Sequence, residues 1–254
     1  MGYIDAALES LYKAIQIDKN LALEAKGEED FGDLRNDERF LSLTSLVWYA
    51  SYGSNLCSRR FMRYIEGGQP DGASSPHPGC RDKTPPKDDQ PIKISYPLYF
   101  AKQSPRWDDK GVAFIGLKKG ETEATLGRMY LITEQQFIDV VSQENDGASI
   151  SMDLQKVKQQ GSMIFRESWY GNILYLGEQD GFPIYTFTSC KDIALEAPVA
   201  PSPQYLQSIV SGLKEVYPVT HEDIVKYLLS KPGIKDSYTE EELDSLIREG
   251  AQGV

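Results

Sequence analysis

From residue 46 onwards the chain carries a series of short apolar segments that are rich in aromatic and β-branched residues. They are bounded by Gly, Pro or Asp, and their sequences are LVWYASY, ISYPLYFA (94–101), GVAFIGL (111–117), ATLGRMYLI and FPIYTFTS (182–189). Segments of this kind are typical of β-strands. They are too short and too numerous for a helical bundle, so a β-sheet must form much of the core.

Helical patterns stand on both sides of these strands. Near the N-terminus, apolar residues recur at helical spacing in DAALESLYKAIQIDKN, and a second short helix opens at Asn20. In the C-terminal third, Ser202 leads into one helix and Thr220 caps a second. Thr239 and Glu242 have the spacing of a capping box for a third helix. Strands followed by helices predict an α+β domain with a curled or closed mixed sheet.

Residues 1–45 differ from the remainder of the chain and predict a separate helical arm. ALESLYKAIQID and DFGDLRNDERFLSL resemble the last unit of a tetratricopeptide-type array. A single unit of such an array cannot bury both of its faces, since these repeats normally stack in series. We therefore expect this helical hairpin to pack on the main domain at 46–254, on a second copy of the chain, or on a protein partner.

The composition disfavours several classes of function. The 27 basic and 38 acidic side chains give a net charge of −11, so nucleic acid and anionic membranes would be repelled. No apolar run approaches the roughly 20 residues of a spanning helix, and the first residues lack a secretory signal pattern, which predicts a cytoplasmic protein. The 3 Cys and 2 His residues are too few and too dispersed to predict a disulfide framework or a metal site.

The segment LVWYASYGSNLCSRRFMRYIEGG joins a predicted strand to an amphipathic helix through Gly53, Ser54 and Asn55. Such a junction directs unpaired backbone N–H groups toward one point, where their dipoles can hold a carboxylate or an oxyanion. Gly53 permits close backbone approach, while Ser54 and Asn55 add side-chain donors. The same residues also suit a polar turn with no ligand, so both interpretations stay open.

A carboxylate occupies a position of an apolar helical stripe in LITEQQFIDVVSQEND. Thr133 and Gln136 have capping-box spacing, so a helix is predicted to begin near Glu134. Glu144 lies seven residues after Phe137, on the face predicted to be buried. Partial burial and the helix carbonyls would raise its pKa, as a group that accepts and returns a proton near neutral pH requires. The alternative is a glutamate that extends into solvent at a frayed helix end.

Together with the surrounding chain, these two features resemble a known family. YGSNL at 52–56, following a strand, resembles the signature loop of the γ-glutamylcyclotransferase superfamily. SYPLYFAKQSPRWDDKGVAFIGL resembles that family's strand pair with its Trp-x-x-x-Gly segment, and LGRMYLITEQQFIDVVSQEN resembles the strand and helix that end in its catalytic glutamate. APVAPSPQY and YTEEELDSLIREGAQ resemble its Pro-rich lead and its final helix. The resemblance covers roughly residues 46–254.

The resemblance implies a small mixed β-barrel with flanking helices and a cavity at one end. It implies an enzyme that releases 5-oxoproline from a γ-glutamyl amino acid or a γ-glutamylamine, by attack of the glutamyl α-amine on its own γ-carbonyl. No cofactor and no metal are expected. Carried over to this chain, the resemblance assigns Glu144 as the general acid/base. The expected substrate-binding residues are Tyr52, Gly53, Ser54, Asn55, Leu56 and Tyr205.

Departures from the family pattern leave the leaving group open. The family's glutamate is normally followed by Gly, whereas Asn145 and Asp146 precede Gly147 in this chain. The predicted loop at 67–91 is also long. Glutathione-specific members of the family usually carry a different residue after Gly-Ser in this loop. The resemblance therefore implies, from Asn55, a γ-glutamyl amino acid or a γ-glutamylamine as the substrate.

Two other interpretations compete with this enzyme. The domain could be a non-catalytic ligand-sensing or scaffold protein whose helical arm at 1–45 mediates self-association or binds a protein partner. Cys57, beside the turn, could instead act as a nucleophile. Neither His77 nor His221 is near Cys57 in the sequence, and a Cys at a helix start is usually a packing residue.

Overall fold

The computed structural model describes residues 2–69, 76–120, 124–235 and 237–249. The helices are α1 (Tyr3–Ile17), α2 (Leu21–Gly27), α3 (Glu38–Thr44), α4 (Ser58–Glu66), α5 (Glu134–Glu144), α6 (Leu154–Gln160), α7 (Pro203–Val216), α8 (His221–Leu229) and α9 (Glu240–Glu249). The strands are β1 (Leu46–Ser51), β2 (Asp88–Ile94), β3 (Leu98–Ser104), β4 (Lys110–Ile115), β5 (Thr125–Thr133), β6 (Ser162–Ile164), β7 (Asn172–Gln179) and β8 (Phe182–Thr188). The α+β prediction is confirmed.

Six of these strands form one mixed sheet in the order β2-β5-β1-β8-β7-β6. β1 pairs in parallel with β8 and antiparallel with β5, and the other neighbouring strands are antiparallel. β3 and β4 pair with each other in a separate two-stranded sheet. The predicted mixed sheet is therefore present, but both sheets are open, and the described strands do not close into the expected barrel.

Proline residues limit the pairing that a closed barrel would need. The segment before α7 meets β3 and β4 only at single bridges, Ala101 with Pro198 and Gly111 with Pro201. Because proline has no N–H group, it cannot extend such a bridge into a ladder. β2 lies at one edge of the six-stranded sheet and contains Pro91 together with the charged residues Asp88, Asp89 and Lys93, as protected edge strands often do.

β1 is buried along its whole length, and its side chains alternate between two cores. Leu46, Trp48 and Ala50 pack with α1 to α3 and α7 to α9, whereas Val47 and Tyr49 pack with α4 to α6. This alternation follows from the two-residue period of a strand. The main sheet therefore lies between two helical layers, and β1 leads directly into the predicted turn at Gly53.

The N-terminal helices pack on the main domain. Leu11 and Ile15 of α1 are buried in the same core as Trp48. Lys19 Nζ lies 2.5 Å from Asp88 Oδ2 and 2.8 Å from an oxygen of Asp180. Of the three surfaces expected to receive the arm, the main domain thus receives it in the structure. The division of the chain at residue 45 and the tetratricopeptide relationship stay predictions.

The remaining differences from the predicted elements concern three strands, β2, β6 and β7. β2 occupies the end of the segment 67–91, which was predicted to be loop, and β6 and β7 were not predicted. The predicted caps at Thr133 and Thr220 are confirmed, since each side chain accepts a hydrogen bond from a first-turn N–H group. Ser202, which was predicted only to lead into α7, caps that helix in the same way. Residues 70–75 of the loop and 250–252 of the predicted last helix lie outside the described residues. Among the described helices, none combines the length and the apolar content of a bilayer crossing.

Candidate active site

A cavity of about 490 Å³ lies beyond the C-terminal end of β1. Its wall is formed by the turn after β1, the start of α4, the 3₁₀ segment between β3 and β4, the end of α5, the residues before β7, and the first turn of α7. Elements from distant parts of the sequence therefore meet at one place. Of the residues predicted to form the site, six line this cavity: Tyr52, Gly53, Ser54, Asn55, Glu144 and Tyr205.

The turn after β1 is compact and uses some of its own N–H groups. Leu56 N donates to Gly53 O at 3.0 Å, and Cys57 N donates to Ser54 O at 3.3 Å. A Cβ atom at residue 53 would lie 2.9 Å from Tyr205 Oη, closer than packed atoms tolerate. Glycine is therefore required here, because the hydroxyl of Tyr205 occupies the space that a Cβ atom would fill.

Tyr205 reaches this turn from the first turn of α7. Ser202 caps that helix, and its hydroxyl accepts the N–H of Tyr205 itself at 3.3 Å. The Tyr205 hydroxyl accepts the N–H of Ala113 at 3.0 Å, and its ring contacts Trp107 edge-on with 4.8 Å between ring centres. Burial raises the pKa of Tyr205 to about 12. The hydroxyl thus stays protonated at neutral pH and can donate a hydrogen bond into the cavity.

Glu144 is the last residue of α5, and its side chain is partly buried in the cavity wall. Its apolar neighbours on the same face, Phe137, Val140 and Val141, are fully buried, which fixes the direction of the helix. Burial raises the pKa of Glu144 above its ordinary value, although the hydroxyl of Tyr64 and the nearby arginines oppose that rise. The direction predicted for this pKa is confirmed, and the carboxyl faces the cavity.

Asn55 connects the turn to Glu144. Its Nδ2 atom lies 3.5 Å from Glu144 Oε1 and 3.4 Å from the hydroxyl of Tyr49. The side chain is only 4% exposed, and its Oδ1 atom is buried without a hydrogen-bond partner among the described residues. A buried acceptor without a donor is unusual in a folded protein. The amide nitrogen of Asn55 therefore lies against Glu144, and the amide oxygen has no donor among the described residues.

Three residues singled out in the sequence are less accessible to a ligand in the cavity than expected. Leu56 is fully buried and does not line the cavity; its carbonyl oxygen accepts from Tyr130 and Arg128. Tyr52 lines the cavity, but its hydroxyl donates to the carbonyl oxygen of Phe187 at 2.7 Å. Cys57 is buried in the packed wall behind the turn and does not line the cavity.

Asn145, which departs from the family pattern, has a structural role at the end of α5. Its Nδ2 atom donates to Val141 O at 2.8 Å and to Tyr170 O at 3.3 Å. Its Oδ1 atom accepts from Ser168 Oγ at 2.5 Å. Asn145 therefore joins the helix end to the segment 166–170, which forms another part of the cavity wall. Asp146 is exposed, so its charge is accessible to water.

Three arginines that sequence reasoning missed also line the cavity: Arg60, Arg106 and Arg166. Arg60, near the start of α4, lies with its guanidinium carbon 4.6 Å from the ring centre of Trp107. Arg106 precedes that tryptophan in the same 3₁₀ segment. The only signal in the sequence was the pair of basic residues at 59 and 60, directly after the turn, which looks like an ordinary polar helix face.

The site contains no evident metal centre. Among the described residues, no group of three or more His, Cys, Asp or Glu side chains is placed so that it could hold a metal ion. The ring of His77, which the sequence left without a role, contacts the ring of Tyr64 at a tilt of 38°, with 4.0 Å between ring centres. Burial lowers the pKa of His77 to about 4, so it is neutral at physiological pH.

No protein-family model matches the chain. A similar curated protein is Histone deacetylase 5 of Arabidopsis thaliana, which is 36% identical over 207 residues. The match covers 73% of this chain and 31% of the relative, so the chain spans about a third of the length of the curated relative that it matches. This partial match does not define the family of the chain.

Several solved structures resemble this chain in the course of the backbone, and some of them are described as γ-glutamyl cyclotransferases. One is a γ-glutamyl cyclotransferase, with a TM-score of 0.43, 16% identity and coverage of 80% of this chain and 99% of its own. Another is an uncharacterized protein from Homo sapiens, with a TM-score of 0.41, 19% identity and coverage of 80% and 99%. A glutathione-specific γ-glutamyl cyclotransferase from yeast has a TM-score of 0.25, 10% identity and coverage of 83% and 88%. Scores of this size carry no argument about function, which must come from the site.

Proposed function

We propose that the chain is a γ-glutamylcyclotransferase that releases 5-oxoproline from a γ-glutamyl compound. The main support for this proposal is that the carboxyl group of Glu144 and the turn at Gly53 lie next to each other in the wall of one cavity. Glu144, whose pKa burial raises, lies 3.5 Å from the side chain of Asn55 in the turn, and both line the same cavity. A single acid and a set of neutral donors are what this intramolecular reaction needs.

Glu144 would carry the proton through the reaction. The glutamyl α-ammonium gives one proton to the Glu144 carboxylate, and the freed amine attacks the γ-carbonyl carbon. The new C–N bond closes a five-membered ring, and the carbonyl electrons move to the oxygen. Glu144 gives the proton that it has taken to the leaving nitrogen, so that the bond to it breaks as the oxyanion collapses. The ring nitrogen loses its second proton to the Glu144 carboxylate, which passes it to the departed amine; the products are the neutral lactam and an ammonium, and Glu144 is again a carboxylate. A raised pKa suits both transfers, because the group must accept and release the proton at similar pH.

The turn and Tyr205 would supply the donors for the negative charge. The Tyr205 hydroxyl lies beside Gly53 and stays protonated because burial raises its pKa to about 12. Donors held in place before the reaction stabilise a developing oxyanion without reorganisation. The free Oδ1 atom of Asn55 can accept from the α-ammonium and hold it toward Glu144. Holding both ends of one substrate in this way favours ring closure, and proximity of this kind can contribute about 7–11 kcal/mol.

The direct test is product formation by the purified chain. A panel of γ-glutamyl amino acids and γ-glutamylamines is incubated with the protein, and 5-oxoproline is quantified by chromatography. We expect product from at least one compound, and Glu144→Gln should lower the rate by at least about a hundredfold, the usual scale for a lost acid/base group. Glu134→Gln, at the other end of the same helix and outside the cavity, is the matched control and should retain the rate. Absence of product from a folded chain would refute the proposal.

We propose a second candidate function, a non-catalytic ligand-sensing module, because of the length of the curated relative. The matched stretch is 31% of a protein named for deacetylation, so a domain of this kind can be one part of a larger chain. In that case the cavity would bind γ-glutamyl compounds without converting them. Calorimetry with the wild-type chain distinguishes the two candidates: heat of binding without 5-oxoproline supports the module, and turnover excludes it.

A further inference from the structure

Tyr64 lies beside Glu144 in the wall of the cavity. It belongs to α4, is only 2% exposed, and lines the cavity together with Glu144, the last residue of α5. Its hydroxyl donates a hydrogen bond to the Glu144 carboxyl. Burial raises the pKa of Tyr64 well above its ordinary value, so the hydroxyl stays protonated and can act as a donor to a carboxylate. Glu144 therefore meets a neutral donor on the neighbouring helix.

The backbone of Tyr64 is bound to α5 at the residue before Glu144. The buried amide of Gln143 donates through Nε2 to Tyr64 O at 3.0 Å. The thiol of Cys80 donates to the same oxygen at 3.2 Å. Two buried donors on one carbonyl oxygen hold the end of α4 against the end of α5. The approach of the Tyr64 hydroxyl to the Glu144 carboxyl is therefore supported by contacts that involve neither of these two groups.

The segment 76–80, which belongs to the long predicted loop, supports the ring of Tyr64. His77 exchanges two backbone hydrogen bonds with Gly68, at 2.9 and 3.0 Å, and the N–H group of Cys80 donates to the last turn of α4 at 2.9 Å. These bonds hold the segment along the end of α4, and the ring centre of His77 then lies 4.0 Å from that of Tyr64. Burial lowers the pKa of His77 to about 4, so two neutral rings are in contact at neutral pH. The described part of this loop therefore packs directly behind the cavity wall.

The other groups that act on Glu144 in the described part of the chain constrain its direction less. Asn55 Nδ2 lies 3.5 Å from Glu144 Oε1, at the outer limit of a hydrogen bond. Arg60 and Arg106 act through their charge and oppose the rise of the carboxyl's pKa. Asp146, just after α5, is exposed, so water screens its charge. Three further groups are tyrosines whose pKa burial raises, so that they stay neutral while Glu144 titrates: Tyr49 of β1, Tyr170 before β7 and Tyr205 of α7.

We propose, on the basis of the proposed function, that Tyr64 is a positioning residue for Glu144 and that the segment 76–80 keeps its hydroxyl in place. The hydroxyl holds the carboxyl in one orientation before the substrate arrives, which the two proton transfers require. A hydrogen bond to the charged form of an acid favours that form. Tyr64 thus keeps Glu144 able to accept the first proton, although the carboxyl lies in a wall that disfavours charge.

A titration of Glu144 tests this inference without turnover. Tyr64→Phe keeps the ring and removes the hydroxyl. Side-chain carboxyls are followed by ¹³C NMR against pH, and the signal that Glu144→Gln lacks is assigned to Glu144. We expect the midpoint of that signal to move to higher pH in Tyr64→Phe, because the carboxylate loses a donor while it stays buried. Tyr185→Phe is the matched control, since its hydroxyl donates to Leu154 O at 2.9 Å outside the cavity, and it should leave the midpoint unchanged. An equal midpoint in the wild type and Tyr64→Phe would overturn the inference.

Rate measurements with a γ-glutamyl compound that the wild type converts give a second test. Tyr64→Phe should lower kcat roughly tenfold at neutral pH, the scale of a lost hydrogen bond to a charged group, and leave KM nearly unchanged. The acidic limb of its kcat profile should move to higher pH together with the midpoint of Glu144. A uniform loss at every pH, or an equal loss in Tyr185→Phe, would mean a merely structural role and would overturn the inference.

The carboxyl titration also separates this inference from the reaction itself. If the wild type forms no 5-oxoproline, the proposed function fails, whereas the midpoint of Glu144 in Tyr64→Phe still decides whether the hydroxyl acts on the carboxyl. His77→Ala retains the hydroxyl and removes the ring contact behind it. It should move the midpoint in the same direction, and it replaces Tyr64→Phe if that variant does not fold; an unchanged midpoint in His77→Ala would refute the role of the segment 76–80.

Discussion

The contact between Gly53 and Tyr205 predicts that a single methyl group will disturb the cavity. In Gly53→Ala the new Cβ would lie 2.9 Å from Tyr205 Oη and 3.4 Å from Ala113 Cβ. The φ of Gly53 is −111°, so alanine carries no left-handed penalty there, and the close contact is with the hydroxyl. Because Tyr205 is only 3% exposed and packed on Trp107, it cannot move away freely. Overpacking of this kind typically costs about 1–3 kcal/mol of folding free energy.

Removal of the hydroxyl should relieve that cost. Tyr205→Phe by itself leaves the buried N–H of Ala113 without its acceptor, which typically costs about 1–3 kcal/mol. In the Tyr205→Phe background, however, Gly53→Ala no longer meets an oxygen and should cost under about 1 kcal/mol. The two substitutions are therefore expected to be strongly non-additive, with the double variant more stable than the sum of the single changes allows.

The assay is urea unfolding of the wild type, both single variants and the double variant, followed by circular dichroism. Gly27→Ala is the control, since a Cβ at residue 27 meets nothing within 4 Å and alanine favours a helix. It should leave stability unchanged or raise it slightly. If Gly53→Ala costs the same free energy in both backgrounds, the hydroxyl does not occupy the space beside the turn, and the geometry proposed for the oxyanion donors is wrong.

Two further predictions concern α5. Because burial raises the pKa of Glu144, the native state keeps a proton that the unfolded state has lost, so stability falls as pH rises from its ordinary pKa toward the raised one. Glu144→Gln should thus raise the melting temperature at neutral pH and have no effect below pH 4; equal melting temperatures at every pH would contradict this. Asn145→Gly removes contacts to Ser168 and Tyr170 and should cost about 1–3 kcal/mol in urea unfolding. Asp146→Gly, at a φ of 59°, should be neutral or stabilising, and an equal loss in both variants would refute the role of Asn145.

The helix that carries Glu144 was predictable because its signals are local. The capping box between Thr133 and Gln136, the apolar stripe and the seven-residue spacing from Phe137 all lie within one short segment. These signals also gave the correct direction for the pKa of Glu144, since burial follows from the stripe. Local patterns of this kind need no knowledge of the remaining chain.

Features that depend on distant residues were missed. Arg60 lies in a segment with the pattern of an exposed basic helix face, and its position becomes meaningful only when Trp107 is brought beside it. β2 resembles a loop because edge strands carry the charged residues and proline that protect them from further pairing. The openness of the sheets likewise depends on where Pro198 and Pro201 meet β3 and β4, which no local pattern reveals.

Several of the described residues that line the cavity depart from the most stable arrangement. Asn55 Oδ1 and Arg60 Nε are both buried there without partners, and Glu144 is an acid on an otherwise apolar helix face. Each of these features lowers folding stability, and a hydrophobic residue at position 144 would fill the stripe better. Three other buried side-chain atoms without a partner among the described residues belong to Tyr99, Gln143 and Asn172, which do not line the cavity. It is therefore the combination of Asn55, Arg60 and Glu144 in one wall that favours a ligand. A ligand with a donor for Asn55, an anionic group for Arg60 and a cationic group that gives a proton to Glu144 would offset all three costs at once.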